Sequence, residues 1–248
     1  MKTIIELKDI KRHFQVGEET VQALKGVTFS IQEGQFVTIM GKSGSGKSTL
    51  LNILGCLDTP TDGTYLLDGA SVQSMNKNQR ARIRNNKIGF VFQSYNLLAN
   101  TTAIENVELP LMYNSSVSSE DRKKRAMYAL ETVELGDRMY HKSNQMSGGQ
   151  MQRVAIARAL VNNPAVILAD EATGNLDTRT SFSILKILQD LHKEGKTIIF
   201  VTHNDEISSY CERNIVLRDG RIIQDSYNSN ILSAAEALKN LPKEEEEK

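Results

Sequence analysis

The segment GKSGSGKS at residues 41–48 fits the pattern G-x-x-x-x-G-K-[ST] at every fixed position. A short apolar run, rich in β-branched and aromatic residues, precedes it at 36–40, and the stretch 48–54 that follows has the character of a helix. This order predicts a buried strand, a glycine-rich loop and a helix whose N-terminus points at a bound phosphate. A glycine-rich turn without a ligand is the alternative, and the flanking strand and helix argue against it.

The residue types of this loop suit a nucleoside triphosphate. Gly41, Gly44 and Gly46 let backbone N–H groups converge on a phosphate without Cβ clashes. Lys47 is predicted to reach the β- and γ-phosphates, and the Ser48 hydroxyl is predicted to bind Mg²⁺. The remaining candidate nucleotide contacts in the loop are Lys42, Ser43, Ser45 and Thr49.

Composition narrows the class of protein. Lys plus Arg equals Asp plus Glu at 30 each, so no net positive charge attracts nucleic acid, and no nucleic-acid partner is expected. No apolar run has the length of a membrane span, and the N-terminal sequence lacks the apolar core of a signal peptide. We therefore expect a soluble chain that reaches a membrane only through a partner. Cys56 and Cys211 are expected to be reduced, packed thiols.

Short apolar runs alternate with helical segments along most of the chain. The runs at 36–40, 165–169 and 197–202 have the pattern of strands covered on both faces. Helices are predicted around 48–54, 151–162 and 180–193. Together they predict an α/β core that holds its ligand at the carboxyl ends of parallel strands.

The stretch from about 95 to 150 is predicted to be a helical insertion into this core. Ser118 has the signature of an N-cap, with Asp121 three residues later. The basic run at 122–125 is interpreted as a solvated helix face rather than a nucleic-acid contact. Further on, 218–221 predicts a hairpin turn, and the residues 243–248, with four consecutive glutamates, predict a disordered acidic tail.

Polar residues at strand ends are the candidate catalytic groups. Asp170 and Glu171 end a buried strand, which predicts that Asp170 holds Mg²⁺ while Glu171 orients the attacking water. His203 follows another strand and is predicted to contact the γ-phosphate. Gln93 follows the apolar run 88–92, where its amide is predicted to touch Mg²⁺ and report nucleotide state to a docked partner.

A second anion site is predicted at 147–150, before a helix expected over Met151–Val161. Its residues are Ser147, Gly148, Gly149 and Gln150, and two glycines with a Ser at a helix N-terminus suit an anion. An ordinary capped helix is the alternative. One loop and one separate anion site in a chain indicate that the second site serves another chain's nucleotide in a head-to-tail homodimer.

These motifs resemble those of the nucleotide-binding subunit of ABC transporters over nearly the whole chain. The resemblance identifies residues 41–48 as a Walker A motif and MSGGQ at 146–150 as the signature. It identifies AVILADE at 165–171 as a Walker B motif with its catalytic glutamate. It also implies that Phe14 stacks on adenine and that Asp177, in GNLD, belongs to the D-loop.

The fold implied by the resemblance is an α/β P-loop NTPase (RecA-like) core with a parallel sheet, an N-terminal antiparallel β portion and an inserted helical subdomain. The nucleotide-binding domain would span 1–228, with the subdomain at about 95–160, and 229–248 would form a C-terminal helix and acidic tail. The cofactors would be ATP and Mg²⁺. Catalysis would rest on Glu171, His203, Lys47 and Gln93, with Ser48, Gln93 and Asp170 as metal ligands.

Within the family, stretches such as ILADEATGNLD resemble the MacB/LolD-type group, which exports macrolides or peptides or releases lipoproteins. This implies a homodimer at the cytoplasmic face of the inner membrane that drives an integral membrane permease, which can in turn contact an extracytoplasmic adaptor. Met146 and Ala172 depart from the usual Leu and Pro of the family motifs. The alternatives are a signalling ATPase without a transported substrate and a soluble ABC ATPase.

Overall fold

The computed structural model describes residues 2–114 and 116–242. Its strands are β1 (Thr3–Val16), β2 (Glu19–Gln32), β3 (Phe36–Met40), β4 (Asp62–Leu67), β5 (Ala70–Ser71), β6 (Ile88–Phe92), β7 (Val166–Asp170), β8 (Ile198–Thr202), β9 (Arg213–Arg218) and β10 (Arg221–Tyr227). Its α-helices are α1 (Lys47–Leu54), α2 (Lys77–Lys87), α3 (Ala103–Met112), α4 (Ser119–Thr132), α5 (Gly148–Leu160), α6 (Thr178–Lys193) and α7 (Ala234–Asn240). Short 3₁₀ turns occupy Gly136–Arg138, Ser143–Gln145 and Asp205–Tyr210.

A mainly parallel sheet forms the centre of the fold. Among the described residues, six strands pair in the order β10-β9-β3-β8-β7-β6, and only the β9–β10 pair is antiparallel. The predicted strands at 36–40, 165–169 and 197–202 correspond to β3, β7 and β8. All of β3 and β8 is buried, because helices and a second sheet cover the two faces. The predicted α/β core with a parallel sheet is confirmed.

Side chains of the central strands alternate between two apolar clusters. Ile199 and Val201 of β8 pack with α1 and the N-terminal strands, while Ile198 and Phe200 pack with the helices on the other face. The sheet is therefore the layer that both apolar clusters share. This packing fixes the position of the loops that leave its carboxyl edge.

The N-terminal antiparallel portion is also confirmed. Strands β2-β1-β4-β5 form a separate antiparallel sheet, and a long β1–β2 hairpin makes most of it. Its buried face contributes Ile5, Leu7 and Leu24 to the cluster around α1. The predicted hairpin at 218–221 joins β9 to β10, with Asp219 and Gly220 at φ +50° and +79°, as a two-residue turn of this kind requires.

Helices α3, α4 and α5 lie between β6 and β7 in the chain. Ser118 caps α4 as predicted, accepting the N–H of Asp121, and Lys123–Arg125 are exposed. Helix α5 begins at Gly148, three residues earlier than the predicted Met151. The reason is a capping box: the Ser147 hydroxyl accepts the N–H of Gln150 while the Gln150 side chain accepts the N–H of Ser147.

The C-terminal part packs on α6. Gln189 of α6 is largely buried; it donates to the carbonyls of Tyr210 and Leu232 and accepts the N–H of Ala234 at the start of α7. The predicted acidic tail, 243–248, lies outside the described residues. Cys56 and Cys211 are buried free thiols, as expected. In the part of the chain that the structure describes, no helix combines the length and apolarity needed to span a membrane.

Candidate active site

Four of the predicted polar segments meet at the carboxyl edge of the central sheet. The glycine-rich loop leaves β3, His203 follows β8, Asp170 and Glu171 end β7, and Gln93 follows β6. Since β3, β8, β7 and β6 are successive parallel neighbours, the residues after them line up along one edge. Strand order, which the sequence alone did not specify, makes Glu171 and His203 adjacent.

The loop has a backbone that requires glycine. Gly44 and Gly46 adopt φ of +80° and +103°. A Cβ at Gly46 would lie 2.7 Å from the carbonyl oxygen of Ala23 in β2, so the hairpin sheet closes one side of the loop. Side chains at these positions would therefore distort the backbone that a phosphate needs.

The lysine of the loop is folded back into it. Lys47 Nζ donates to the carbonyl oxygens of Gly41 at 2.6 Å and Lys42 at 3.1 Å. The Ser45 hydroxyl is buried without a hydrogen-bond partner among the described residues. Helix α1 has no acidic residue in its first turn and no side-chain cap, so its N–H groups remain available. This cradle fits a phosphate chain, with Lys42, Ser43 and Ser48 exposed at its rim and Thr49 partly buried.

The two carboxylates at the end of β7 have different environments. Burial raises the pKa of Asp170, and the negative charge of Glu171 raises it further, while Lys47 partly offsets both. Glu171 has φ +45°, and its N–H donates to Val201 on β8 at 2.9 Å. Its carboxylate lies 2.5 Å from His203 Nδ1. A cation beside Asp170 would relieve the repulsion between the two acids, which suits a metal ligand next to a catalytic base.

Gln93 is tied to the loop after β7. Its Nε2 donates to Asn175 Oδ1 at 3.1 Å, and Asn175 Nδ2 donates to the Gln93 carbonyl oxygen at 3.3 Å. The turn that follows Gln93 is left-handed at Tyr95 and Asn96. Arg158, near the end of α5, donates to both of their carbonyl oxygens at 2.8 and 2.5 Å.

Sequence reasoning missed two residues that support this site, Arg158 and Gln152, and included a third, Asn175, only as part of the GNLD segment. Gln152 is fully buried on α5 and donates to the carbonyl of Ala172, one residue after Glu171, at 2.8 Å. The sequence around Arg158 and Gln152 shows the spacing of a helix and nothing more. No local pattern therefore predicts which groups these two side chains bind. Asn175 lies in the GNLD segment with Asp177, and this segment is the sequence feature that could have pointed to it.

The second predicted anion site lies apart from the loop. Ser147, Gly149 and Gln150 line a cavity of about 550 Å³ together with Arg153, Arg179 and Thr180, and none of the residues 41–49 lines it. A Cβ at Gly148 would lie 2.8 Å from the Tyr95 hydroxyl. The capping box uses the N–H groups of Ser147 and Gln150, and the first turn of α5 contains no acidic residue, so the N–H groups of Gly148 and Gly149 can still face an anion.

The resemblance also implies roles for two residues that do not follow strands of the central sheet, Phe14 and Asp177. Phe14 lies on β1 and is 37% exposed, and the Arg12 guanidinium sits 4.5 Å from the centroid of its ring on one face. Asp177 caps α6, accepting from the N–H of Thr180 at 2.8 Å and its hydroxyl at 2.6 Å. These hydrogen bonds lower the pKa of Asp177.

The described residues contain no group of three or more His, Cys, Asp or Glu side chains that could hold a metal ion. Mg²⁺ dehydrates reluctantly and is usually held by one or two protein oxygens together with substrate phosphates. Asp170, Ser48 and Gln93 offer oxygen atoms of that kind.

Comparison with known proteins identifies the family. The profile of the ABC transporter family matches residues 24–174. An ABC transporter ATP-binding protein of Thermotoga maritima is 55% identical over 222 residues, which cover 90% of this chain and 94% of the relative. A macrolide export ATP-binding/permease protein MacB of Brucella melitensis is 49% identical over 92% of this chain, which spans only 35% of that longer protein.

The fold matches a solved cassette. The dimeric, post-hydrolysis structure of the ATP-binding cassette MJ0796 bound to ADP and Pi has a TM-score of 0.82 and 47% identity, with coverage of 90% of this chain and 98% of that one. A protein of that name comes from Methanocaldococcus jannaschii. The extent of the family match, the sequence identity with relatives and the similarity of fold all agree. The chain belongs to the ABC transporter family, in which it is an ATP-binding cassette and an ATPase.

Proposed function

We propose that this cassette is the motor subunit of a bacterial transporter of the MacB/LolD type, and that it closes as a homodimer on two ATP molecules to drive a membrane permease. The proposal rests on one observation: the residues that would act on ATP form two groups that lie apart in one chain. The loop, Asp170, Glu171, His203 and Gln93 share one sheet edge, while Ser147–Gln150 open into a separate cavity. A second subunit, turned head to tail, would join the two halves.

In this scheme the chain's own residues divide the work. The amides of the loop and of the α1 N-terminus hold the phosphates, and Lys47 leaves the Gly41 and Lys42 carbonyls to pair with them. Phe14 offers the exposed face of its ring to adenine. Mg²⁺ would neutralise developing charge on the phosphate oxygens, held by Ser48, Gln93 and Asp170.

Glu171 and His203 form the pair that would act on water. Their contact at 2.5 Å ties the carboxylate to the imidazole. With ATP in place, His203 would turn to the γ-phosphate and free Glu171 to orient the attacking water. Ser147 and Gly149 of the second subunit would donate to the same phosphate from the opposite side.

The test of this chemistry is Glu171→Gln. This change keeps the size of the side chain but removes the carboxylate, so we expect loss of turnover and accumulation of an ATP-bound dimer. Light scattering with and without ATP measures the dimer, and phosphate release measures turnover. Wild-type turnover in this variant would refute the assignment of Glu171.

The permease would dock in the groove beside the Gln93 turn. This groove holds about 920 Å³ between α2, β6, α3 and α5 and is lined in part by Arg82, Phe90, Phe92, Tyr113 and Arg158. Tyr113, which lines the groove, is 83% exposed, and its chain neighbour Met112 is 61% exposed, so apolar surface lies uncovered beside the groove. A cytoplasmic segment of a permease suits it, because the MacB relative is an ATP-binding/permease protein in which the region beyond this match makes up most of the length.

Docking is tested by co-purification from native membranes in mild detergent. We expect a stoichiometric integral membrane protein with the wild-type chain, and its loss with Tyr113→Ala. Tyr128→Ala is the matched control, because Tyr128 is 73% exposed on α4 and does not line the groove. Equal recovery with both variants, or recovery of cytosolic partners alone, would contradict the proposal. The transported substrate depends on the permease.

A further inference from the structure

The side chains of Gln93 and Asn175 form a closed pair between two loops of the site. Gln93 Nε2 donates to Asn175 Oδ1, and Asn175 Nδ2 donates back to the main-chain carbonyl of Gln93. Gln93 follows β6 and Asn175 lies five residues after the end of β7, so the pair joins loops from neighbouring parallel strands.

The main-chain carbonyl of Gln93 determines which atom of each side-chain amide donates and which accepts. A carbonyl oxygen can only accept, so the Asn175 atom facing it must be the amide nitrogen. Asn175 Oδ1 then faces Gln93 and can only accept, so the Gln93 atom opposite it must be Nε2. If both amides were reversed, two oxygens would face each other at the Gln93 carbonyl. The pair therefore reserves Nε2 of Gln93 for Asn175 and leaves Oε1 for another partner.

Close packing holds the same arrangement. A Cβ at Gly174 would lie 2.7 Å from Gln93 Nε2 and 3.4 Å from its Cδ. The absence of a side chain at 174 lets the loop after β7 lie directly against the amide. Gly174 is itself anchored, because its N–H donates to the Glu171 carbonyl at 2.9 Å. The orientation of Gln93 is thus set by the loop that carries Glu171.

We propose that Asn175 is a positioning residue that turns the Oε1 atom of Gln93, rather than Nε2, toward the metal of the bound nucleotide. Mg²⁺ takes oxygen ligands, and an amide nitrogen at the same place would direct its hydrogens at the cation. Partners behind a metal ligand that fix its orientation contribute to metal affinity, and their loss commonly costs at least about tenfold. The inference rests on the proposed function, because it takes Gln93 as a ligand of the nucleotide's metal.

The test uses Mn²⁺ as a probe for Mg²⁺, in full-length protein that carries Glu171→Gln and is saturated with ATP. Titration followed by the electron paramagnetic resonance of free Mn²⁺ measures metal affinity without turnover. We expect Asn175→Ala to lower this affinity by about tenfold, and Gly174→Ala to lower it as well because the new methyl displaces the Gln93 amide. ATP affinity in the absence of metal should not change. Asn100→Ala, at an exposed asparagine of the loop that contains Gln93, is the matched control and should bind Mn²⁺ as the parent does.

A double-mutant comparison separates positioning from a general structural effect. In a Gln93→Ala background, Asn175→Ala should cause no further loss of Mn²⁺ affinity, because it acts only through Gln93. Undiminished affinity in Asn175→Ala, or an equal loss with and without Gln93, would overturn the proposal. Undiminished affinity in Gln93→Ala would overturn it too. A parent that binds Mn²⁺ and ATP but never dimerises would instead contradict the proposed function, while the metal data would still decide the role of Asn175.

Discussion

Gly149 in the MSGGQ segment has a steric role that can be separated from any contact with nucleotide. A Cβ at this position would lie less than 3.0 Å from the Thr180 Cγ2 methyl group. Thr180 cannot easily turn away, because its hydroxyl and its N–H both donate to the Asp177 carboxylate, at 2.6 and 2.8 Å. We therefore expect Gly149→Ala to destabilise the folded chain.

The size of this effect follows from two opposing terms. Overpacking of this kind costs about 1–3 kcal/mol. Replacing a helical Gly by Ala returns roughly 0.5–1 kcal/mol, because Ala loses less backbone entropy. The two ranges leave a net loss of roughly 0–2.5 kcal/mol with a central value of about 1 kcal/mol, which corresponds to a fall in melting temperature of roughly 2–4 °C for a chain of this length.

Thr180→Ser provides the matched rescue, since Ser keeps the hydroxyl that donates to Asp177 and lacks the methyl that clashes. Differential scanning calorimetry in the absence of nucleotide should show a lower melting temperature for Gly149→Ala alone, and recovery in the double variant to at least the value of Thr180→Ser alone. The reasoning is refuted if Gly149→Ala costs the same in both backgrounds, or if it costs nothing in either.

Three further predictions concern the loop, a partly buried acid and the thiols. Lys47→Ala should weaken ATP binding by about 10- to 100-fold, measured by isothermal titration calorimetry; unchanged affinity would contradict its role. Hydrogen bonds from Lys2 and Lys87 lower the pKa of Asp68. Asp68→Asn should therefore cost about 1 kcal/mol at pH 7 and progressively less as the pH falls below the unfolded value of about 4. Urea unfolding from pH 3 to 7 measures this, and a loss as large at pH 3 as at pH 7 would argue against it. Burial raises the pKa of Cys56 to about 11 and the pKa of Cys211 well above its usual range. Native protein should then react with a thiol reagent at pH 8 on the order of 100-fold more slowly than a free cysteine, and fast labelling of native protein would contradict the burial.

The elements with strong local patterns were predictable from sequence. β3, β7 and β8 are short apolar runs whose burial on both faces follows from their lack of alternation, and the loop after β3 follows from its glycines and Lys47. The start of α5 was predicted three residues too late, because the two glycines were assigned to an anion site that precedes the helix. The capping box between Ser147 and Gln150 instead places both glycines in the first turn.

Contacts between segments that are distant along the chain could not be predicted from the sequence. The adjacency of Glu171 and His203 depends on the pairing of β7 with β8, and the amide pair of Gln93 and Asn175 joins residues 82 positions apart. Arg158 occupies a helical position whose neighbours give no indication of the turn it binds. Such contacts depend on strand order and loop packing, which no local spacing of residue types encodes.

The central claim is that each nucleotide site combines the glycine-rich loop of one subunit with the Ser147–Gln150 segment of another. The most direct test mixes two inactive variants, Lys47→Ala with a damaged loop and Ser147→Arg with a damaged cap. Their heterodimer contains one site made of an intact loop and an intact Ser147–Gln150 segment, whereas either homodimer contains none. We expect ATPase activity to appear only on mixing, at up to about a quarter of the wild-type rate if pairing is random and the sites act independently. A mixture no more active than the sum of the separate variants would contradict the shared site.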